Sequence, residues 1–396
     1  MKKGWKTKTL EEACQFSNGL WKGEKPPFVK VGVIRNTNFT KEGTLDDSDI
    51  AYLDVEAKKL EKRRLQFGDI ILEKSGGGPK QPVGRVALFD KEDGDFSFSN
   101  FTAALRVLAP DDLDFRFVHK FLHWTYVSGV TEGMQSNSTG IRNLDGDAYK
   151  AIEISFPPLA EQQRIVGLLD EAFEGLATAK ANAEKNLHNA RALFESHLQS
   201  VFTQRGPGWK EKTLGDVCDA TQGVQLPKSE QSPTKLPGYR RYLYISDFES
   251  DKNLKYVRDE HPKKLVTPDD IIVANTGSAG KIFRGIDGIL SNNLFKVSFD
   301  SATVDRDFIF FFVTSGVFRE YQQSIMRGTA NPHMGHVNFK STPICIPGIE
   351  TQKVVVEKIH EFAEETQRLA RLYERKHAAL EALKKSLLHQ AFNGEL

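Results

Sequence analysis

The chain has 396 residues, 39% of them hydrophobic and 27% charged, a composition ordinary for a globular protein and a length with room for two to four domains. Its 54 Lys+Arg against 53 Asp+Glu leave a formal charge of +1, which excludes both an acidic tail and a basic footprint able to hold nucleic acid through phosphate contacts alone. Three scattered cysteines, Cys14, Cys218 and Cys345, exclude a disulfide framework or thiolate metal site, and with no apolar run long enough to span a bilayer the expectation is a cytoplasmic protein without a membrane partner.

From the N-terminus, Phe28–Ile34 and residues 70–72 and 85–89 are short β-branched and aromatic runs punctuated by Gly, Pro, Asn and Asp, which predicts strands and turns. Residues 115–126 predict a helix. From residue 159 to 202 there is no proline, and Gly167 and Gly175 are the only glycines. Apolar or small residues fall at Ile165, Leu169, Ala172, Leu176, Ala179 and Ala183, then after an extra four-step at Leu187, Ala190, Phe194, Leu198 and Val201. That is a heptad seam with one stutter. The mixed pattern then returns: residues 240–245 and Ile271–Ala274 predict strands, and residues 307–324 a helix. Residues 350–393 contain neither glycine nor proline, and a second seam runs through Val355, Ile359, Phe362, Thr366, Leu369 and Tyr373, then the same extra step to His377, then Leu380, Leu383 and Leu387. Each helical segment of about 44 residues would be roughly 66 Å long, too long for an ordinary globular domain, so each needs a partner and each is the nearest candidate for the other.

The chain contains itself twice. Residues 4–19 realign without a gap on residues 208–223, with eight of sixteen positions identical, including Trp5/Trp209, Leu10/Leu214, Cys14/Cys218 and Gly19/Gly223. In the same order, Gly68-Asp69-Ile70-Ile71 echoes Asp269-Asp270-Ile271-Ile272, Ser99-Asn100 echoes Ser291-Asn292, Ser128-Gly129-Val130 echoes Ser315-Gly316-Val317, and Phe156-Pro157 echoes Ile346-Pro347. The order is A-B-A′-B′, with boundaries at 1–157, 158–206, 207–346 and 347–396.

Catalytic motifs fail in turn. Lys25-Pro26-Pro27-Phe28 has lysine where a methyltransferase loop needs Asp or Asn. Thr276-Gly277-Ser278-Ala279-Gly280-Lys281-Ile282 lacks the first glycine and the final hydroxyl of a phosphate-binding loop. Neither Pro110-Asp111 nor Pro268-Asp269 is followed by the second half of a metal-dependent nuclease motif. His119 and His123, four apart in a Phe/Trp-rich run, and His333 and His336 have no accompanying carboxylate or cysteine, so packing or surface roles are expected rather than a metal. Cys14 and Cys218 read as small core residues.

Phe156-Pro157-Pro158-Leu159-Ala160-Glu161-Gln162-Gln163-Arg164-Ile165-Val166 resembles the Pro-Leu-x-Glu-Gln-x-x-Ile start of the first spacer helix in DNA specificity subunits of type I restriction-modification systems. The ending, Leu387-Leu388-His389-Gln390-Ala391-Phe392-Asn393-Gly394-Glu395-Leu396, is similar to that family's ending, and the A-B-A′-B′ order extends the resemblance over the whole chain. In the second copy, Pro347-Gly348-Ile349-Glu350-Thr351-Gln352 departs from the motif, lacking the second proline and the Glu-Gln pair.

The resemblance implies an α+β chain with two mixed α/β target-recognition domains separated by two long helices pairing as an antiparallel coiled coil, a pseudo-twofold internal repeat. It implies a non-catalytic subunit whose domains each read one half of a split double-stranded DNA target. It further implies two bound modification (methyltransferase) subunits and restriction/translocase subunits, with S-adenosylmethionine, ATP and Mg on those partners and no cofactor or metal in this chain. The rival reading is a coiled-coil adaptor between proteins that never touches DNA.

Base edges are read by Arg and short polar side chains on irregular loops. In the first copy the candidates are Arg35, Asn36 and Asn38; Lys74, Ser75, Lys80, Gln81 and Arg85; and Asn137, Ser138, Thr139 and Arg142. In the second they are Arg240 and Arg241; Asn275, Thr276, Ser278, Lys281 and Arg284; and Arg327, Thr329, Asn331, His333 and His336.

Overall fold

The computed structural model describes residues 4–20, 23–78, 81–138, 140–204, 206–326 and 333–396. Two compact units emerge, one of residues 1–183 and 375–396, the other of residues 184–374. Each unit therefore combines one of the two repeated mixed segments with part of both long helices.

In the first unit, Cys14–Asn18, Thr102–Val107, Ile70–Glu73 and Val86–Leu88 form a four-stranded antiparallel sheet in that spatial order. A second sheet joins Ala51–Glu56 antiparallel to Phe28–Ile34, which pairs parallel with Phe96–Phe98. Lys6–Thr9 closes the segment by pairing with Glu153–Phe156, just before the long helix. The second unit repeats this frame: Asp219–Gln222, Leu294–Ser298, Ile271–Ala274 and Ile282–Phe283 make its four-stranded sheet, and Lys210–Thr213 pairs with Pro343–Ile346. Gly19 and Gly223 show why the repeat needs glycine there. A Cβ on Gly19 would lie 1.8 Å from the Ser99 carbonyl oxygen, and one on Gly223 2.0 Å from that of Ser291.

The expected long helices are Leu159–Thr203 and Ile349–Phe392. Within the first unit they run antiparallel, with Lys180 2.7 Å from Glu381 and Arg164 donating to the Leu396 carbonyl at 3.1 Å. Ile165, Val166 and Leu169 share a core with Leu388, Ala391 and Phe392. Within the second unit the same arrangement places Arg191 2.7 Å from Glu374 and the His197 ring 4.4 Å from that of Phe362. The seam residues on the first helix are all buried or half-buried. On the second helix Leu383 is exposed, and the half-buried Lys384 takes its place, its ammonium over the Phe173 ring at 5.1 Å. A lysine stem is apolar enough to serve as seam.

The helix expected over residues 307–324 is two, Arg306–Thr314 and Gly316–Met326. Ser315 is extended between them, its Oγ donating to the Phe312 carbonyl at 2.6 Å and accepting from the Phe318 N–H at 3.4 Å. In the first unit the echoing Ser128-Gly129 instead ends the helix Phe115–Val127, with Gly129 at φ +82°. One short motif thus performs two jobs, because serine can bond backbone on either side of a break.

A glutamine repeats where the long helices begin. Buried Gln162 accepts from the Asp114 N–H at 2.8 Å and donates to the carbonyls of Pro157 and Asp112 at 2.8 and 2.9 Å. Gln352 does the same with Asp305 N–H at 2.8 Å and the carbonyls of Pro347 and Thr303 at 2.8 and 3.1 Å. The second helix start lacks the Glu-Gln pair yet keeps the glutamine that ties it to the preceding segment.

Cys14 and Cys218 are core residues, their thiols pushed up to about 12 by burial. His119 and His123 are buried too, with His119 Nε2 2.8 Å from the Gly43 carbonyl. Burial, then Lys120, lowers His119 to about 4; burial, then His119 and Lys384, lowers His123 to about 3. The ordinary value is 6.5, so below it the unfolded chain gains protons that the fold refuses. The first unit is expected to lose stability as pH falls from 6.5 toward 4, by about 2 kcal/mol per histidine at pH 5. Urea unfolding at pH 7 and pH 5 checks this: His123→Phe should reduce the loss, and an equal loss in the variant would contradict the assignment. Among the described residues no helix is long and apolar enough to cross a membrane, and no group of three or more His, Cys, Asp or Glu could hold a metal ion.

Candidate nucleic-acid interface

In the first unit three sequence-distant segments converge at one end of the four-stranded sheet. The 3-10 turn Asn36–Asn38 meets the end of strand Ile70–Glu73 through Asn36 Nδ2, which donates to Glu73 Oε1 at 3.1 Å. Ser75–Gly77 continues as a strand beside Ile141–Leu144, itself hairpin-paired with Gln135–Ser138. Ser75 Oγ donates to Asn143 Oδ1 at 2.6 Å. The three loops expected to read DNA are therefore one surface.

A buried ion pair underlies it. Glu73 is 1% exposed, and Arg85 donates to both its carboxylate oxygens at 2.7 and 2.9 Å. Arg85 Nη2 also donates to the Asn36 carbonyl at 3.0 Å, and with its amide oxygen turned inward Gln81 accepts from the same guanidinium at 2.8 Å. Bidentate geometry of this kind fixes orientation as well as energy.

The second unit builds its equivalent differently. The Glu73 N–H bonds the Arg85 carbonyl at 2.8 Å, and the Ala274 N–H bonds that of Lys281 at 2.9 Å, so Arg85 and Lys281 are equivalent and alanine stands where Glu73 does. Lys281 finds its carboxylate on another segment, Glu249, at 2.5 Å. Asn275 accepts on its backbone carbonyl from the Met334 N–H at 2.8 Å, bringing His333 and His336 to the same place, and the Ile245 side chain lies 3.7 Å from where a Cβ on Gly277 would stand. Again three segments converge.

The structure separates the expected readers into three groups. Arg85, Asn38, Arg241 and Asn275 turn inward. Asn38 is 1% exposed and donates to the backbone carbonyls of Asp46 and Asp49, Arg241 is held by Asp247 and Asp251, and Asn275 donates to the Asn292 carbonyl. They shape loops, because a buried polar group must spend its hydrogen bonds inside the protein. Arg240 and Arg284 are drawn elsewhere, to Asp259 at 2.6 Å and to Asp307 at 2.9 Å with the Phe310 ring beneath. Arg35, Asn36, Lys74, Ser75, Gln81, Arg142, Thr276, Ser278, Lys281 and His333 line the convergent surfaces, whereas the His336 ring packs edge-on against the buried Phe295 at 4.9 Å. Arg35 is braced by Asp49 at 2.9 Å, Lys74 by Asn18 Oδ1 at 2.8 Å, and Arg142 by Gln135 at 3.3 Å. Burial lowers both Lys74 and His336 below their ordinary values. Asn137 and Ser138 lie on the strand Gln135–Ser138, where only their backbone is described; Lys80, Thr139, Arg327, Thr329 and Asn331 lie outside the described residues.

Sequence reasoning missed Glu73, Phe101 and Asn293. Phe101 is 44% exposed, and its carbonyl accepts from the N–H groups of Lys74 and Ser75 at 3.0 and 3.1 Å. The Asn293 carbonyl accepts from the Asn275 N–H at 3.0 Å. Both directly follow the Ser-Asn pairs of the repeat, which was the available signal.

Residues 2–186 and 207–374 each match the type I restriction modification DNA specificity domain. The specificity subunit of the type I restriction enzyme MjaVIII from Methanocaldococcus jannaschii is 23% identical over 291 residues, 66% of this chain and 66% of that protein. A putative type I restriction enzyme specificity subunit of Haemophilus influenzae, S.HindORF215P, is 30% identical over 169 residues, 39% of this chain and 40% of its own length. The EcoKI specificity subunit of Escherichia coli is 22% identical over 414 residues, 93% of this chain and 82% of that one. The chain thus spans about two thirds of the first of these relatives and less than half of the second. A chain from a solved type I R-M system superposes with a TM-score of 0.80 at 18% identity, covering 99% of this chain and 98% of its own. The HsdS subunit of Thermoanaerobacter tengcongensis gives 0.65 at 18%, covering 100% and 98%. At that identity the likeness establishes the fold, and the two domain matches establish the family: the chain belongs to the type I restriction-modification DNA specificity family, whose specificity domain it carries twice.

Proposed function

We propose that each recognition domain reads one half of a bipartite, asymmetric double-stranded DNA target, and that the paired long helices set the distance between halves and dock two modification subunits. The observation that carries this is the recurrence of one sheet frame under two different loop surfaces, with Glu73–Arg85 and Phe101 in one and Ala274–Lys281–Glu249 and Asn293 in the other. Equal frames with unequal side chains suit two readers of unequal half-sites. Helices of 45 and 44 residues exceed the roughly 34 Å between half-sites one DNA turn apart.

The subunit itself is non-catalytic in this reading. S-adenosylmethionine for adenine methylation sits on the modification subunits, and ATP and Mg on restriction/translocase subunits. With a formal charge of +1, counterion release by this chain is small, so tight binding depends on the partners closing around the duplex, and the isolated chain binds DNA weakly. All of this takes place in the cytoplasm.

The test is a genome-wide map of methylated adenines in cells carrying the chain and its modification subunits, compared with cells lacking the chain. The expected result is a split motif with unequal halves. Deleting one heptad from each long helix, at matched positions, should change the gap and leave both halves alone. A continuous motif, or a gap indifferent to the deletion, would overturn the proposal.

A further inference from the structure

We infer that the residue following the Ser-Asn pair of each repeat, Phe101 in the first domain and Asn293 in the second, is a specificity-determining contact: Phe101 packs on a thymine methyl group and Asn293 pairs with an adenine edge. The inference rests on the reading of each domain as a reader of one half-site.

Both residues stand at one place in the frame. The Lys74 N–H donates to the Phe101 carbonyl at 3.0 Å, and the Asn275 N–H donates to the Asn293 carbonyl at 3.0 Å, each the first residue beyond the equivalent strand. Neighbouring positions in the two frames are spent on the protein itself: Asn292 gives its carbonyl to Asn275, and Thr102 is buried with its hydroxyl on the Ser99 carbonyl at 2.8 Å. Phe101 and Asn293 are the exposed side chains of their turns.

Phe101 belongs to none of the buried clusters of its unit. It stands 44% exposed within a polar surface, its ring edge 3.7 Å from where Gly76 would carry a Cβ, with Lys74, Ser75 and Asn36 around it. An aromatic ring left in water there gains by covering apolar surface on a partner, and the exposed apolar group of a base edge in the major groove is the thymine methyl. Asn293 has the opposite character. Its Oδ1 accepts from the Thr276 hydroxyl at 3.1 Å, which steadies the amide plane, and a steadied asparagine amide matches the donor–acceptor pair of adenine. The same backbone position thus presents an apolar probe in one domain and a hydrogen-bonding probe in the other.

The experiment uses the chain assembled with its modification subunits and a randomised pool of DNA duplexes, sequencing those retained. The wild-type complex should enrich a split motif. Phe101→Asn should relax or switch one thymine-containing position of one half-site and leave the other half intact, whereas Asn293→Phe should act on one adenine position of the other half. On the selected wild-type duplex, uracil in place of that thymine should weaken binding about fourfold, the equivalent of one buried methyl group, and Phe101→Ala should abolish the difference between thymine and uracil. A split motif with unchanged base preferences in both variants would overturn this inference alone. Failure of the wild-type complex to enrich any split motif would overturn it together with the reading on which it rests. Weakening of every position alike, with Phe101→Leu no better than Phe101→Asn, would mark the residue as structural and overturn it as well.

Discussion

Replacing Glu73 by leucine is expected to destabilise the first unit by about 3–5 kcal/mol, the cost of breaking a buried ion pair by removing one partner. The carboxylate is 1% exposed and the Arg85 side chain 17%. Removing it strands a guanidinium whose remaining partners among the described residues are the carbonyls of Asn36 and Phe39, the Phe39 ring and the Gln81 amide. Asn36 also loses the acceptor of its amide, so the turn and the strand end lose their tie. The double variant Glu73→Leu, Arg85→Met removes both charges and should recover most of the lost stability, since replacing a whole buried pair by apolar groups is often neutral. Urea unfolding followed on the complete chain, with the four members of the double-mutant cycle, measures the coupling; a single-variant loss below 1 kcal/mol would show that the pair does not organise the surface. The second unit offers an internal comparison. Lys281 and Glu249 are 49% and 59% exposed, and for such a pair Glu249→Gln should change stability by less than about 1 kcal/mol.

The second large effect is expected at the helix starts. Gln162→Leu leaves one N–H and two carbonyls without their partner, those of Asp114, Pro157 and Asp112. At about 1–3 kcal/mol for each buried group left unsatisfied, and with water reaching some of them, a loss of about 3 kcal/mol is expected. Gln352→Leu should cost a similar amount in the second unit, where the bonds are repeated. Gln163→Leu, at an exposed neighbouring position, should stay within about 0.5 kcal/mol. Amide hydrogen exchange gives a local readout: the Asp114 N–H should lose protection in Gln162→Leu, and unchanged protection would mean that another group holds the helix start to the sheet.

Much of the architecture was legible before any coordinates. The strands Phe28–Ile34 and Ile271–Ala274 and both long helices fall where periodicity placed them, within a residue or two. These are segments in which one physical signal dominates: alternation or continuous burial in the strands, and heptads without glycine or proline in the helices. The break at Ser315 was hidden because the flanking residues continue a helical pattern, and only the paired bonds of its hydroxyl show that the chain turns there. Leu383 was misplaced because a lysine stem can substitute for leucine on a seam, which hydropathy does not register.

The candidate interface was legible as three loops per copy and not as a division of labour within them. Polar composition marks where a loop is, yet Asn38 and Lys74, or Arg85 and Arg142, look alike until their partners are known. Two arginines expected to face DNA are held by carboxylates distant in sequence, Asp259 and Asp307, and the residues with the strongest claim to read bases or hold the loops include an aromatic and an acid that a search for cations and amides passes over.

Sequence by itself determined the internal repeat, the two long helices, the absence of the tested catalytic motifs and the family, because each is written in local order: identities at fixed offsets, or a period sustained over many residues. Only the tertiary structure decided which polar side chains face outward. Whether an arginine is a reader or a brace depends on a carboxylate that folding brings to it from twelve residues away, as for Arg85 and Glu73, or from 23, as for Arg284 and Asp307. That is a matter of pairing energies in three dimensions, to which no linear pattern corresponds.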